Sequence, residues 1–275
     1  MKKNFLILAT LLCCQLNVSV AQRGWEIGGW AGVSHYFGDL NTNFDLKRPG
    51  FAGGAVFRFN FNDRLCLKMS GNYGNISADD KNSGNVFEQR RNLNFRSVIV
   101  DGTGQFEFNF LPYNYFDKAQ WFSPYLLGGL SVYHFNPQGK YNNTWYDLRP
   151  LGTEGQFRGE EYYTTQIALA YGGGFKIALN EVWSINIEIS ARKLFTDYLD
   201  DVSKTYPNMN EIRKQHGEIA GSLSDPSIAD ADGKKIGQLG RQRGDSKSND
   251  MFTFFGVSLL YYFGELRCPP ISNRY

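Results

Sequence analysis

Eight charged residues occupy alternate positions in otherwise apolar runs, and they are the clearest candidates for chemistry in this sequence. They are Glu26, Arg58, Lys68, Asp101, Glu107, Lys176, Glu188 and Arg192. If these runs are β-strands, alternation turns the charged side chains toward one face of a sheet. Acids and bases on one face could line a gated conduit. We favour the alternative, a salt-bridged polar core, because unpaired buried charges would be costly.

Catalysis is not expected, because the histidines His35, His134 and His216 lie in or near loops. Ser34 and Asp39 are close to His35, but adjacent residues of a strand point to opposite faces and make no catalytic set. The segment 230–233 resembles half of a calcium loop, yet it lacks the first acidic ligand and the terminal glutamate. We therefore expect no enzyme activity, no cofactor and no metal.

Period-two alternation predicts eight strands to position these charges. In the hairpin at residues 51–73, Phe57, Phe59 and Phe61 lie on one face while Arg58 and Asn60 lie on the other. A tight turn at residues 62–64 joins its two strands. The predicted strands cover residues 25–37, 51–61, 65–73, 94–111, 124–135, 166–179, 183–192 and 251–263.

The connections separate a membrane barrel from a secreted soluble sandwich, which would also show alternation. Connections after the odd-numbered strands are long and polar, whereas those after the even-numbered strands are shorter. Outer-membrane barrels have an even number of strands, with short periplasmic turns and long extracellular loops. We predict an all-β fold, an eight-stranded antiparallel transmembrane β-barrel with both termini in the periplasm. The longest loop, 196–249, is expected to contain one short helix capped by Asn210.

The amino terminus carries an export signal. Lys2 and Lys3 precede an apolar run, and Ser19-Val20-Ala21 suits signal peptidase. We assign residues 1–21 to a signal peptide, 22–263 to the barrel and 264–275 to a periplasmic tail. The mature sequence has no apolar run long enough for a spanning helix, so it would enter a membrane as a closed barrel. The formal net charge of +2 gives no reason to expect nucleic acid.

Two cysteines remain after the predicted cleavage, Cys66 and Cys268. Cys66 begins a strand at the predicted periplasmic rim, and Cys268 lies in the tail on the same side. In an oxidising periplasm they could form a disulfide that fastens the tail beneath the barrel. The sequence leaves the free and the bonded forms open, because disulfide formation depends on the distance between the Cα atoms.

The first predicted strand begins with Trp25-Glu26-Ile27-Gly28 and leads into the stretch Gly32-Val33-Ser34-His35-Tyr36-Phe37-Gly38-Asp39-Leu40. This opening resembles the PorG family of outer-membrane barrels from the Bacteroidetes type IX secretion system. Further matches are residues 124–129, Thr196-Asp197-Tyr198-Leu199-Asp200-Asp201-Val202-Ser203, Arg243-Gly244-Asp245 and Asn249-Asp250. The later motifs are shared with a wider group of barrels, so only the opening stretch points to PorG itself.

The resemblance implies a non-enzymatic scaffold, surrounded by outer-membrane lipid, that ties a periplasmic ring of the lipoprotein PorK and a PorN-type subunit to the outer membrane. Such a role would support protein export and, in gliding species, motility. No small-molecule substrate is expected. We predict ring contact through the aromatic second turn and the tail, at Tyr113, Tyr115, Phe116, Trp121, Leu266, Arg267, Ile271 and Tyr275. The alternative is a general small barrel that acts as a passive channel or a surface-interaction protein.

Overall fold

The computed structural model describes residues 24–264, and this range forms an antiparallel β-sheet that closes on itself. The predicted signal peptide, Cys268 and most of the predicted tail lie outside the described residues. The strands are β1 (Gly24–Phe37), β2 (Gly50–Asn60), β3 (Leu65–Asp79), β4 (Asn94–Asn109), β5 (Phe122–Tyr141), β6 (Thr144–Asp147), β7 (Thr165–Ala178), β8 (Trp183–Leu194) and β9 (Met251–Phe263).

Eight of these strands make the barrel wall. Each pairs with its neighbours around the ring, and β1 closes it against β9, with Trp25 opposite Phe263. The short strand β6 pairs with the far end of β5 and lies outside the ring. The predicted fold class, an eight-stranded antiparallel barrel, is therefore confirmed. We call the end with both described chain ends the turn end and the opposite end the loop end.

An apolar belt surrounds the wall. On β4, Val100 and Phe106 are 52% and 57% exposed, while the alternating Asp101 and Glu107 are buried. The other strands repeat this pattern with Ile27, Leu130, Ile167, Ile189 and Phe255 outward. A continuous exposed apolar band is the lipid-facing surface of a transmembrane barrel. Within residues 24–264, no helix has the length and apolar character needed to cross a bilayer.

The interior has three layers, of which the sequence predicted only the middle, ionic one. At the loop end, inward side chains such as Phe95, Tyr133, Phe135 and Phe252 form an apolar aromatic core. The charged residues lie between this core and the turn end. At the turn end, Tyr113, Tyr115 and Tyr262 form a separate buried cluster. Aromatic side chains therefore close the barrel interior on both sides of its charges.

The fifth strand extends further than predicted, because residues 136–147 form a hairpin instead of a loop. Asn142 and Asn143 turn the chain between β5 and β6 with positive φ angles of 48° and 66°. Asparagine tolerates this left-handed conformation, which two-residue hairpin turns require. The Asn-Asn pair was the available sequence signal for the hairpin.

Helices in the loops also differ from the prediction. The helix α1 (Val86–Arg91), capped by Asn85, was not predicted. In the longest loop, α2 (Met209–His216) is followed by α3 (Glu218–Ser224). The prediction that Asn210 caps the helix is wrong: Asn208 is the N-cap, and its side chain accepts a hydrogen bond from the backbone N–H of Asn210. Residues Asp80–Asn82 and Arg149–Leu151 form short 3₁₀ turns.

Candidate functional site: a filled barrel beneath a folded loop cap

Arg58 lies at the centre of the charges in the lumen. Its Nη1 is 2.6 Å from Glu26 Oε2, and its Nε is 2.8 Å from Glu107 Oε2. Asn60 donates a further hydrogen bond of 2.6 Å to Glu26. Arg58, Glu26 and Glu107 are all buried, and the guanidinium is the cation that Glu26 contacts.

The remaining predicted lumen charges extend this network. Lys176 Nζ lies 2.7 Å from Glu107, and Lys68 Nζ lies 2.5 Å from Glu188. Arg192 Nε lies 3.2 Å from Asp101, which also accepts hydrogen bonds from Thr103 and Ser131. The structure thus brings all eight of the charged residues chosen from the sequence into the interior, each with a partner of opposite charge.

Little space remains among these side chains. A cavity beside Trp30, Lys68 and Arg192 has a volume of about 20 Å³. One water molecule requires about 10–15 Å³ on the same kind of measure. Trp30 Nε1 donates a 2.9 Å hydrogen bond to Asn72 across this level. The lumen here could hold about one water, which does not suit the passage of a solute.

The aromatic second turn folds inward and closes the turn end. Tyr113 and Tyr115 are only 4% and 6% exposed, and the Tyr115 ring stacks on Tyr262 with centroids 4.7 Å apart. The Tyr115 hydroxyl donates a 2.8 Å hydrogen bond to Ser184. Tyr113 and Tyr115 are therefore poorly placed for the partner contact predicted for them. Phe116 packs against the same cluster, whereas Trp121 is 50% exposed.

Four loops at the other end pack together into what we call the loop cap, residues 38–49, 80–93, 142–164 and 195–250. Arg91 joins three of its segments: it pairs with Asp80 at 2.7 Å and donates to the backbone carbonyls of Asp39 and Arg243, both at 2.8 Å. Arg243 in turn pairs with Glu154 at 3.1 Å and donates to the Asp201 carbonyl at 2.6 Å. Two buried guanidinium groups therefore hold the cap together.

The cap also contains an excess of buried and partly buried acids, which we call the acid cluster. Its members are Asp39, Glu154, Asp197, Asp200, Asp201, Asp245 and Asp250. Burial raises the pKa of Asp39 and of Asp201 to about 6 each. The pKa of Asp197 rises to about 8, through burial and the nearby charge of Asp39. Burial also raises the pKa of Asp200 and of Asp250 well above the ordinary range, and the nearby charge of Asp39 adds to the shift of Asp200 as that of Asp200 adds to the shift of Asp250.

Tyr36 connects the acid cluster to the barrel. Its hydroxyl donates to Asp200 and also lies 3.2 Å from Asp250 Oδ1. A tyrosine hydroxyl has one proton and cannot donate to both carboxylates. The second contact is favourable when one of the two carboxyl groups carries a proton of its own. The geometry therefore agrees with the direction of the pKa shifts.

Motifs that are far apart in the sequence meet in this cluster. Asp39 follows β1, Asp197 and Asp200 follow β8, and Asp245 and Asp250 precede β9. The backbone N–H of Asp245 donates to both carboxylate oxygens of Asp39, at 3.0 and 2.9 Å. In the sequence these motifs are only points of resemblance, because spacing along the chain cannot reveal contacts between loops.

The other candidate residues do not assemble into a reactive site. Ser34 faces inward and donates to the Asn75 carbonyl at 2.5 Å, whereas the His35 ring lies beside Phe37. Asp230 closes a turn by accepting from the Lys234 N–H at 2.8 Å. Within residues 24–264, no group of three or more His, Cys, Asp or Glu side chains is arranged to hold a metal ion.

Cys66 is buried in the lower lumen, with its Sγ 3.4 Å from Lys176 Nζ. The side chain faces the interior rather than the rim. Its predicted partner, Cys268, lies outside the described residues, so the disulfide remains a prediction.

The fold and the exposed apolar belt together define an eight-stranded transmembrane β-barrel of the outer-membrane type. A family model described as "Domain of unknown function (DUF6089)" matches residues 2–221, and the chain belongs to this family. No match is found among curated proteins.

Solved outer-membrane proteins have a similar fold. Ail, the attachment invasion locus protein of Yersinia pestis, is 11% identical, with 88% of this chain and 99% of Ail covered and a TM-score of 0.42. OprG from Pseudomonas aeruginosa is 12% identical, with 89% and 98% covered and a TM-score of 0.43. Neisserial surface protein A is 10% identical, with 87% and 97% covered and a TM-score of 0.41.

Proposed function

We propose that this protein is a non-enzymatic outer-membrane component of a type IX secretion system. In this role it would anchor a periplasmic ring of PorK-type and PorN-type subunits for protein export, and for gliding where the host glides. The filled lumen is the observation that carries the scaffold role, because ion pairs and aromatic clusters occupy the space that a conduit would need. The choice of this secretion system rests on the resemblance of residues 25–40 to PorG.

The proposed orientation places the turn end in the periplasm and the loop cap outside the cell. Bacterial outer-membrane barrels have short periplasmic turns and longer extracellular loops. Both described chain ends lie at the turn end, so the predicted tail would emerge on the side of the ring.

Contact with the ring is proposed at the turn end. Since Tyr113 and Tyr115 are buried, the exposed part of the second turn is Asp117, Lys118 and Ala119, next to Trp121. Leu266, Arg267, Ile271 and Tyr275 lie outside the described residues and remain candidates from the sequence. The contact would therefore combine the polar tip of the turn with the tail.

Affinity purification from detergent-solubilised outer membrane tests this function. We expect PorK-type and PorN-type subunits to co-purify with the wild type. Deleting residues 265–275 together with Asp117→Lys and Lys118→Glu should abolish their recovery. Glu181→Lys, in the neighbouring turn, is the matched control and should retain it. If neither subunit co-purifies with the wild type, the secretion-system role is wrong.

The alternative function is a general small barrel, acting as a passive channel or through its surface. The folded loop cap favours surface interaction over transport, because its buried arginine contacts fix the shape of the exposed end. Planar-bilayer recording separates the two cases. We expect no steady conductance; stable ion conductance by the purified barrel would support the channel and contradict the scaffold.

A further inference from the structure

A polar groove lies on the outer wall at the loop end, formed by β3, β4, β5 and β6. Its volume is about 1030 Å³. Asn75, Ser77, Asn94, Asn136 and Gln138 are among its lining residues. These side chains continue the outward rows of the strands, so the groove faces away from the lumen. Neither the family match nor the proposed scaffold role accounts for it.

The groove begins where the lipid-facing belt ends. On β4 the outward apolar residues run from Phe108 to Val98, and Arg96 is the next outward side chain. Ten residues at about 3.3 Å each, on a strand tilted by about 40°, span about 25 Å along the membrane normal. This equals the height of the apolar band in outer-membrane barrels, about 25 Å. Arg96 therefore lies about 5 Å beyond the hydrocarbon, at the depth of lipid headgroups.

The groove has an excess of positive charge. Arg48, Lys81, Arg96 and Lys140 line it, together with the acids Asp79 and, beside it, Asp147. Arg48 lies 3.6 Å from Asp79. Asp147 accepts hydrogen bonds from Asn136 at 3.0 Å and from Gln138 at 2.7 Å. Among the described residues, no carboxylate lies within ion-pair distance of Lys81, Arg96 or Lys140.

Trp145 holds two of these cations in position. The Arg96 guanidinium carbon lies 4.3 Å from the indole centroid, and Lys140 Nζ lies 5.9 Å from it. Gln138 accepts a 2.9 Å hydrogen bond from Arg96 Nε, which leaves the terminal guanidinium nitrogens free to donate. Arginine and lysine side chains bind phosphate well, and neighbouring amides can bond sugar hydroxyl groups.

We propose that this groove binds the phosphorylated sugar headgroup of an outer-leaflet glycolipid. Charge complementarity and depth select this ligand: cations and amides face the headgroup, while Tyr73, Val98 and Val100 continue the groove into the apolar belt beside the acyl chains. A soluble polyanion would gain nothing from that continuity. The proposal rests on the orientation given above, with the loop end outside the cell.

Binding to the purified mature protein in detergent tests the proposal. The probes are bisphosphorylated lipid A, dephosphorylated lipid A, phosphatidylglycerol and a soluble sulfated polysaccharide. Loss of two charge-assisted contacts in Arg96→Gln/Lys140→Gln should weaken binding of bisphosphorylated lipid A at least about tenfold. Lys193→Gln removes an exposed cation from β8, away from the groove, and should change binding less than about twofold.

Each other outcome overturns the proposal. Unchanged binding in the double variant would show that the groove is not the site. Equal binding of phosphatidylglycerol, or of dephosphorylated lipid A, would indicate general attraction to lipid. Tighter binding of the polysaccharide than of lipid A would assign the groove to a soluble ligand. Heat-modifiable migration in gels confirms that each variant folds. Lys81→Gln removes another cation that lines the groove and is a second groove variant.

The two proposals fail separately. Lipid binding is measured without ring subunits, and ring co-purification does not depend on the groove. Surface labelling of cysteines introduced in the loop cap on intact cells tests the orientation itself. Labelling only after cell lysis would place the groove in the inner leaflet and contradict the proposed ligand.

Discussion

The barrel interior and the loop cap both bury many charged groups, but they balance them differently. In the lumen, four carboxylates face four cations, and each pair is in contact. In the cap, the acid cluster has seven members, of which Glu154 forms an ion pair with Arg243, while Arg91 pairs with Asp80 beside them. In the lumen, fixed cations balance the negative charge of the carboxylates. In the loop cap, bound protons must neutralise part of that charge. The stability of the barrel should therefore depend on the lumen cations, and the stability of the loop cap should depend on pH.

The largest expected effect comes from removing the central cation of the lumen. Arg58→Ala leaves Glu26 and Glu107 buried with a lost partner, and breaking a buried pair costs about 3–5 kcal/mol. We expect the free energy of unfolding in lipid vesicles, measured by urea titration, to fall by about this amount. Lys193→Ala, an exposed cation on the same barrel, should have little effect. Equal stability of the two variants would contradict the compensation assigned to Arg58.

The next largest expected effect is a loss of loop-cap stability as the pH rises. The folded cap raises the pKa of Asp39 and Asp201 to about 6 and that of Asp197 to about 8, from an ordinary 3.8. Because the folded state binds these protons more tightly than the unfolded state, cap stability is greatest at low pH and is lost as the pH rises through these values. Limited proteolysis of residues 195–250 should become at least about tenfold faster between pH 5.5 and pH 9. A tenfold change in the opening equilibrium corresponds to a difference of about one unit between the folded and unfolded pKa values.

A variant isolates the contribution of one carboxyl, Asp197, to the upper part of this transition. Asp197→Asn keeps the size of the side chain and cannot ionise, so cleavage above pH 7 should rise less steeply than in the wild type. Asp117→Asn, on the exposed turn at the opposite end, should leave the profile unchanged. If the wild-type cleavage rate, corrected for the protease's own pH dependence, is flat, then arginine contacts alone stabilise the cap.

The difference between the regions also explains what could be predicted from sequence. Alternation determines the side of the wall on which Arg58 or Glu107 lies, because strand geometry is local and repeats every two residues. The barrel, its strands and its lumen charges could therefore be predicted. The burial of Tyr115 and the meeting of Asp39 with Asp245 depend on how irregular segments pack, and no period describes them. Asn142-Asn143 and Asn85 are the local signals in the sequence for the hairpin turn and for the N-terminus of α1.

The smallest expected effect tests one such local signal in the cap. Asn208 satisfies a backbone N–H at the start of α2, whereas Asn210 is the second residue of the helix. Replacing an asparagine N-cap by alanine costs about 1 kcal/mol of helix stability. Alanine at the second position should instead be neutral or slightly favourable, because alanine has the higher helix propensity. Hydrogen exchange of the amides in residues 209–216 should therefore be about fivefold faster in Asn208→Ala and no faster in Asn210→Ala. The reverse order would make Asn210 the N-cap, as predicted from the sequence, and would shift the helix start by two residues.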